Sequence, residues 1–144
     1  MVLGAFCDLC VTDVAASIEF YRRLLGLEVV VDLGWYAELG AGGRVVLAFV
    51  ASGHETVPAE AVGPARGVLV SFEVDDAGAV DALARDVGCA VRRPLAVEFG
   101  QRHVMVADPD GTIVDIIERI PLTPGDVRRL AGYRRRVRAG EVRC

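Results

Sequence analysis

Few side chains in this chain could do chemistry, and their placement limits what that chemistry is. There are two histidines, His54 and His103, and four cysteines, Cys7, Cys10, Cys89 and Cys144. Cys7 and Cys10 form a C-x-x-C, a spacing associated with zinc and with redox work. The pair lies in an apolar, strand-like run, where residues three apart point to opposite faces. That placement opposes both a disulfide and a shared metal, and no second C-x-x-C exists. His54 stands beside Glu55 in a Gly- and Pro-containing stretch and reads as a solvated loop residue. His103, in R-H-V-M-V, alternates to the face opposite Arg102 and Val104. Imidazole titrates near neutrality, so His103 is the best single candidate for acid–base work. A structural, hydrogen-bonded role is the competing reading.

The elements that must position these residues occur twice. Gly4 to Asp13 (G-A-F-C-D-L-C-V-T-D) and Gly67 to Asp76 (G-V-L-V-S-F-E-V-D-D) share glycine, valine and aspartate at the same places, 63 residues apart. Each run is strand-like, ends on an acid and opens a helical pattern, and the helices stop at Gly26 and Gly88. The spacing predicts a strand over 4–11 and a helix from about Asp13 to Leu25, with Val14, Ile18, Tyr21 and Leu25 on one face. Strands are predicted over 27–31, 35–39 and 44–50, separated by Gly34 and by Gly40 to Gly43. Residues 51–66 read as a linker. The second unit repeats the order, with a strand over 68–74, a helix over 76–87 and strands over 90–92, 102–107 and 112–119. The D-P-D-G turn, Asp108 to Gly111, joins the last two. The result is β-α-β-β-β twice, an α+β fold in which two half-sheets can face each other across a pseudo-twofold axis.

Length and composition set the frame. At 144 residues, 53% of them hydrophobic, one domain is expected. It spans 1–120 (first module 4–50, second module 67–120), followed by a basic tail over 121–144. No apolar run approaches the roughly 18 residues of a membrane span. No signal peptide is read, and a cytoplasmic location is expected. From Asp126 to Cys144 there are seven arginines and two acids, whereas the rest of the chain is net −9. A helical tail docking on the acidic body or on a partner subunit is expected. An arm for nucleic acid is disfavoured, because the body would repel phosphates.

In this doubled pattern and these residues the chain resembles the vicinal oxygen chelate superfamily, which includes glyoxalase I, extradiol dioxygenases, fosfomycin-resistance enzymes and bleomycin-binding proteins. The resemblance rests on T-D-V-A-A-S-I-E-F-Y-R-R-L-L-G-L-E-V from Thr12, F-E-V-D-D from Phe72 and G-Q-R-H-V-M-V-A-D-P-D-G-T-I-V-D from Gly100, and covers about residues 4 to 120. It implies a cup-shaped mixed sheet built from the two modules, with a divalent ion chelated by side chains of the first and last strand of each. The first-strand ligand lies seven residues before the helix-opening aspartate, and the last-strand ligand four residues after the turn glycine. Those positions are Phe6, Leu47, Leu69 and Asp115. Three carry no donor atom, and one carboxylate cannot replace a divalent ion's hydration. No cofactor is therefore expected, and a metal is disfavoured.

With Phe6 and its equivalents pointing inward, alternation adds Asp8, Cys10, Ser71, Glu73, Val45, Phe49, Ile113 and Ile117 to the cup. Trp35, Tyr36 and Met105 could add aromatic or soft surface, and Arg102 could pair with an acid or hold an anionic group. A greasy cup with Asp8, Glu73 and Asp115 suits an apolar or cationic organic molecule. The leading expectation is a metal-independent small-molecule binder of the bleomycin-resistance type, acting by sequestration and forming a homodimer, as the resemblance implies. The alternative is a lyase, isomerase or dioxygenase that uses His103, Asp115 or Glu73 for acid–base work, or an atypical metal site. A third reading is a sensor that reports a bound metabolite through the tail.

Overall fold

The computed structural model describes residues 1–138, the side chains of 133–138 excepted, and folds the β-α-β-β-β unit twice. The first unit comprises β1 (Cys7–Val11), α1 (Val14–Leu25), β2 (Glu28–Asp32), β3 (Tyr36–Ala41) and β4 (Arg44–Ala51). The second comprises β5 (Leu69–Glu73), α2 (Ala77–Asp86), β6 (Ala90–Glu98), β7 (Gln101–Ala107) and β8 (Ile113–Arg119). The linker holds one short 3-10 turn, Ala59–Ala61, and the tail opens as α3 (Pro124–Arg138). The rest of the tail, with Cys144, lies outside the described residues. Among the described residues no helix is long and apolar enough to cross a membrane.

Each unit makes its own four-stranded sheet, in the orders β1-β4-β3-β2 and β5-β8-β7-β6. The β1–β4 and β5–β8 pairs are parallel and the others antiparallel. A parallel pair needs a crossover, and α1 and α2 begin those crossovers. Both helices start where a carboxylate can take an orphan amide. Asp13 accepts from the Ala16 N–H and Asp76 from the Ala79 N–H. Gly26 ends α1 in the left-handed conformation (φ 66°), where its N–H donates to the Arg22 carbonyl. The strand over 90–92 is an underestimate, because β6 runs on to Glu98 through Pro94. Proline is tolerated there because β6 is an edge strand, and its register with β7 slips at two places.

The helix-facing residues of both sheets share one core. Leu9, Val11, Leu47 and Phe49 meet Val14, Ile18, Tyr21 and Leu24 of α1, and the same cluster contains Val70, Val104, Val106, Val114 and Ile116. Tyr21 is its pivot. Its ring centroid lies 5.3 Å from that of Phe49 and 6.0 Å from that of Phe72, so one side chain touches both units. The Tyr21 hydroxyl donates to Asp108 Oδ2 at 3.0 Å, while Asp108 Oδ1 accepts the N–H groups of Thr112 (2.8 Å) and Asp110 (3.0 Å). The Thr12 N–H donates to Asp110 Oδ2 at 2.9 Å, and the Thr12 hydroxyl bonds to Asp110 Oδ1. The F-Y of the first unit and the D-P-D-G of the second are thus two halves of one clasp. Burial raises the Asp108 carboxyl above its usual range, opposed by the three hydrogen bonds it accepts. Burial likewise pushes the Tyr21 phenol up.

Candidate functional site

The face of each sheet turned away from the helices carries most of the chemistry. On the first sheet Asp8 aligns with Ala48 and Ala48 with Glu38, while Cys10 aligns with Val50 and Val50 with Tyr36. Leu47 and Phe49 belong to the opposite face, fully buried in the core, so both are corrected as lining residues. Val45 does not follow them by alternation, because a bulge separates it from Leu47: Val45 pairs with Gly40, and Val46 packs against the core. The fourth chelating position therefore falls on Ala48. The one-residue error arises from a bulge in β4, where Gly40 and Leu39 pair with Val45 and Leu47 and Val46 is the extra residue, a shift that β8 lacks. Arg102 is also corrected. It shares the side of Val104 and Val106, and its Nη1 bonds Glu118 Oε2 at 3.1 Å. The same oxygen accepts the Ala77 N–H at the start of α2, so Arg102 braces a helix. Phe6 precedes β1 and is half exposed, and Leu69 is 57% exposed.

The second face collects Ser71, Glu73, His103, Met105, Asp115 and Ile117. Ser71 and Met105 flank Asp115, and Ile117 lies between Glu73 and His103. His103 and Asp115 are buried, at 7% and 8% exposure. His103 Nδ1 stands 3.2 Å from Asp115 Oδ1, and because a carboxylate only accepts, Nδ1 carries the proton of that bond. His103 Nε2 has no hydrogen-bond partner, with Glu98 Oε2 at 3.7 Å. Arg93 holds Glu98 at 2.6 Å, and Arg119 holds Glu73 at 3.0 Å. Glu98 and Arg93 were missed because Pro94 hides the continuation of their strand. Each of Glu73, Glu98 and Asp115 thus has a basic or imidazole partner.

The first face differs. The Tyr36 hydroxyl donates to Glu38 Oε1 at 2.8 Å. Partial burial, then the negative charge of Glu38, raises the Asp8 carboxyl above its usual range. Burial and the bond to Glu38 push the Tyr36 phenol up to about 12. The Cys10 thiol is raised by burial and by Asp8, which disfavours a reactive thiolate. Above this face lies a cleft of about 580 Å³, lined by Asp8, Cys10, Trp35, Tyr36 and Val50 and bounded by linker residues Thr56 to Ala61. His54 is not merely solvated: its ring stacks flat on Trp35, with centroids 3.9 Å apart and planes 3° apart. Glu38 was missed, although Y-A-E-L alternates cleanly and places it beside Tyr36. Cys7 and Cys10 are free thiols on opposite faces of β1, Cys7 against the core.

The sequence model of the Glyoxalase/Bleomycin resistance protein/Dioxygenase superfamily matches residues 5–116. The chain belongs to this superfamily. Three solved structures show how closely the superfamily fold is kept. A protein of unknown function from Agrobacterium tumefaciens str. C58 has 26% identity and a TM-score of 0.67, covering 83% of this chain and 96% of that one. A lactoylglutathione lyase from Agrobacterium tumefaciens has 21% identity and a TM-score of 0.63, with coverage of 81% and 94%. TioX from Micromonospora sp. ML1 has 18% identity and a TM-score of 0.66, with coverage of 81% and 99%. At these identities the likeness is one of fold. No curated protein matches the chain.

The superfamily's chelating positions in this chain are Phe6, Ala48, Leu69 and Asp115. Phenyl, methyl and isobutyl groups offer a divalent ion no donor atom, and the one carboxylate is bonded to His103. These residues do not fit the superfamily's metal. Among the described residues no group of three or more His, Cys, Asp or Glu side chains is placed to hold an ion.

Proposed function

We propose that this glyoxalase-superfamily protein binds a small organic molecule without a metal ion, sequestering or carrying it in the cytoplasm. The observation that carries the reading is the replacement of three chelating side chains by Phe6, Ala48 and Leu69, beside a cleft with apolar and aromatic walls. A container needs shape and desolvation, which these residues supply. The exposed apolar side chains Phe6, Val68 and Leu69 support a homodimer in which a second copy covers them. The test is elemental analysis of purified protein joined to a thermal-shift screen of aromatic and cationic compounds. The expected result is substoichiometric metal and ligand-induced rises in Tm that survive a chelator. Stoichiometric metal lost on Asp115→Ala would overturn the reading.

One observation favours a second reading, an acid–base enzyme: the buried, unpartnered Nε2 of His103 with Asp115 fixing the other nitrogen. Under that reading His103→Gln abolishes turnover of a bound compound while leaving its affinity intact. A pure binder shows no turnover to lose.

A further inference from the structure

We infer that the cleft of the first unit recognises an organic ammonium ion carrying an aromatic ring. The inference rests on the binding reading above and names the ligand class of that site.

Four observations converge. Asp8 and Glu38 flank Ala48 in one row across three strands, so two carboxylates stand either side of a methyl group, roughly 10 Å apart at their backbones. Among the described residues neither acid has a basic partner, whereas Glu73, Glu98 and Asp115 on the second face each have one. Among the described residues the cleft lining includes no arginine, and its one charged side chain is Asp8, which would repel an anion. Trp35 and Tyr36, with ring centroids 5.8 Å apart, add π-faces in the cleft beside Asp8, and the Tyr36 hydroxyl reaches Glu38, a combination suited to ammonium ions.

The His54 stack bears on the ligand's shape. A flat ring from the linker already lies parallel on the indole of Trp35, which shows that this indole face accepts a planar partner. The linker is tied across its base by the Gly63 N–H donating to Ser52 Oγ at 2.9 Å, so residues 54 to 61 form a strap along the cleft mouth. A ligand ring would either replace the imidazole or extend its stack. The ammonium group would then sit beside Asp8 in the cleft wall, where it supplies the counter-charge that Asp8 and the neighbouring Glu38 lack.

The test is calorimetric titration of the full chain with benzyltrimethylammonium, its uncharged carbon counterpart neopentylbenzene, and benzenesulfonate. Trp35, the only tryptophan, gives a fluorescence readout of the same events. Benzyltrimethylammonium is expected to bind about tenfold more tightly than neopentylbenzene, and benzenesulfonate not at all. Asp8→Asn and Glu38→Gln should each remove most of that preference while leaving neopentylbenzene affinity unchanged. Trp35→Leu should weaken both. Equal affinity for the charged and uncharged probes, or a preference that survives Asp8→Asn with Glu38→Gln, overturns the inference but leaves the binding reading standing. Failure of all three probes to bind also overturns it, and the binding reading is then decided by the screen and the elemental analysis.

Discussion

The two sheets repeat one folding unit but treat their carboxylates in opposite ways. On the second face Glu98 is held by Arg93, Asp115 by His103 and Glu73 by Arg119. On the first, Asp8 and Glu38 face each other's charge, and Glu38's hydrogen bond comes from a neutral phenol. A face that satisfies its own charges is finished, whereas one that leaves two acids beside aromatic walls is arranged for something from outside. Duplication therefore preserved the scaffold and let the two surfaces diverge, which is why the family motifs identify the fold and not the ligand.

Three substitutions test that contrast. Asp108→Ala should have the largest effect, because both faces hang on the same clasp. It removes three hydrogen bonds and strands a buried Tyr21 hydroxyl, for an expected loss of about 3 kcal/mol in urea unfolding. A loss below about 1 kcal/mol would show that the clasp does not join the units. Next, Asp115→Asn should cost about 1–2 kcal/mol, since it weakens a buried bond to His103. The smallest effect carries the opposite sign. Asp8 binds its proton more readily folded than unfolded, so its contribution favours the fold below the unfolded pKa and is lost as pH rises through the raised value. Asp8→Asn should accordingly raise stability at neutral pH, by less than about 1 kcal/mol, with the gain vanishing in acid. Thermal melts across pH would detect it, and a gain that persists at low pH would count against the charge argument.

The skeleton was legible because its signals are local. Asp13 and Asp76 precede their helices by one residue, Gly26 follows α1, and the D-P-D-G turn announces the last hairpin. The phase of β4 was not, because V-V-L-A-F-V is apolar on both sides and alternation then says nothing about which side faces the helices. Glu98, the acid beside His103 Nε2, was hidden for a different reason. Pro94 reads as a strand breaker, and only the edge position of β6 lets the strand continue to Glu98. The contact between Tyr21 and Asp108 spans 87 positions, beyond any pattern of neighbouring residues.

Pro94 and the two register slips of β6 have a consequence for how copies of this chain could meet. An outermost strand that lacks an amide hydrogen near its middle and pairs irregularly is a poor template for another strand. Ladder growth from that side is blocked at the level of the backbone. β5, at the other end of the same sheet, has no proline and keeps an unbroken register with β8 along its whole length. Strand-to-strand assembly on the second sheet, and the aggregation hazard that goes with it, is thereby confined to one margin.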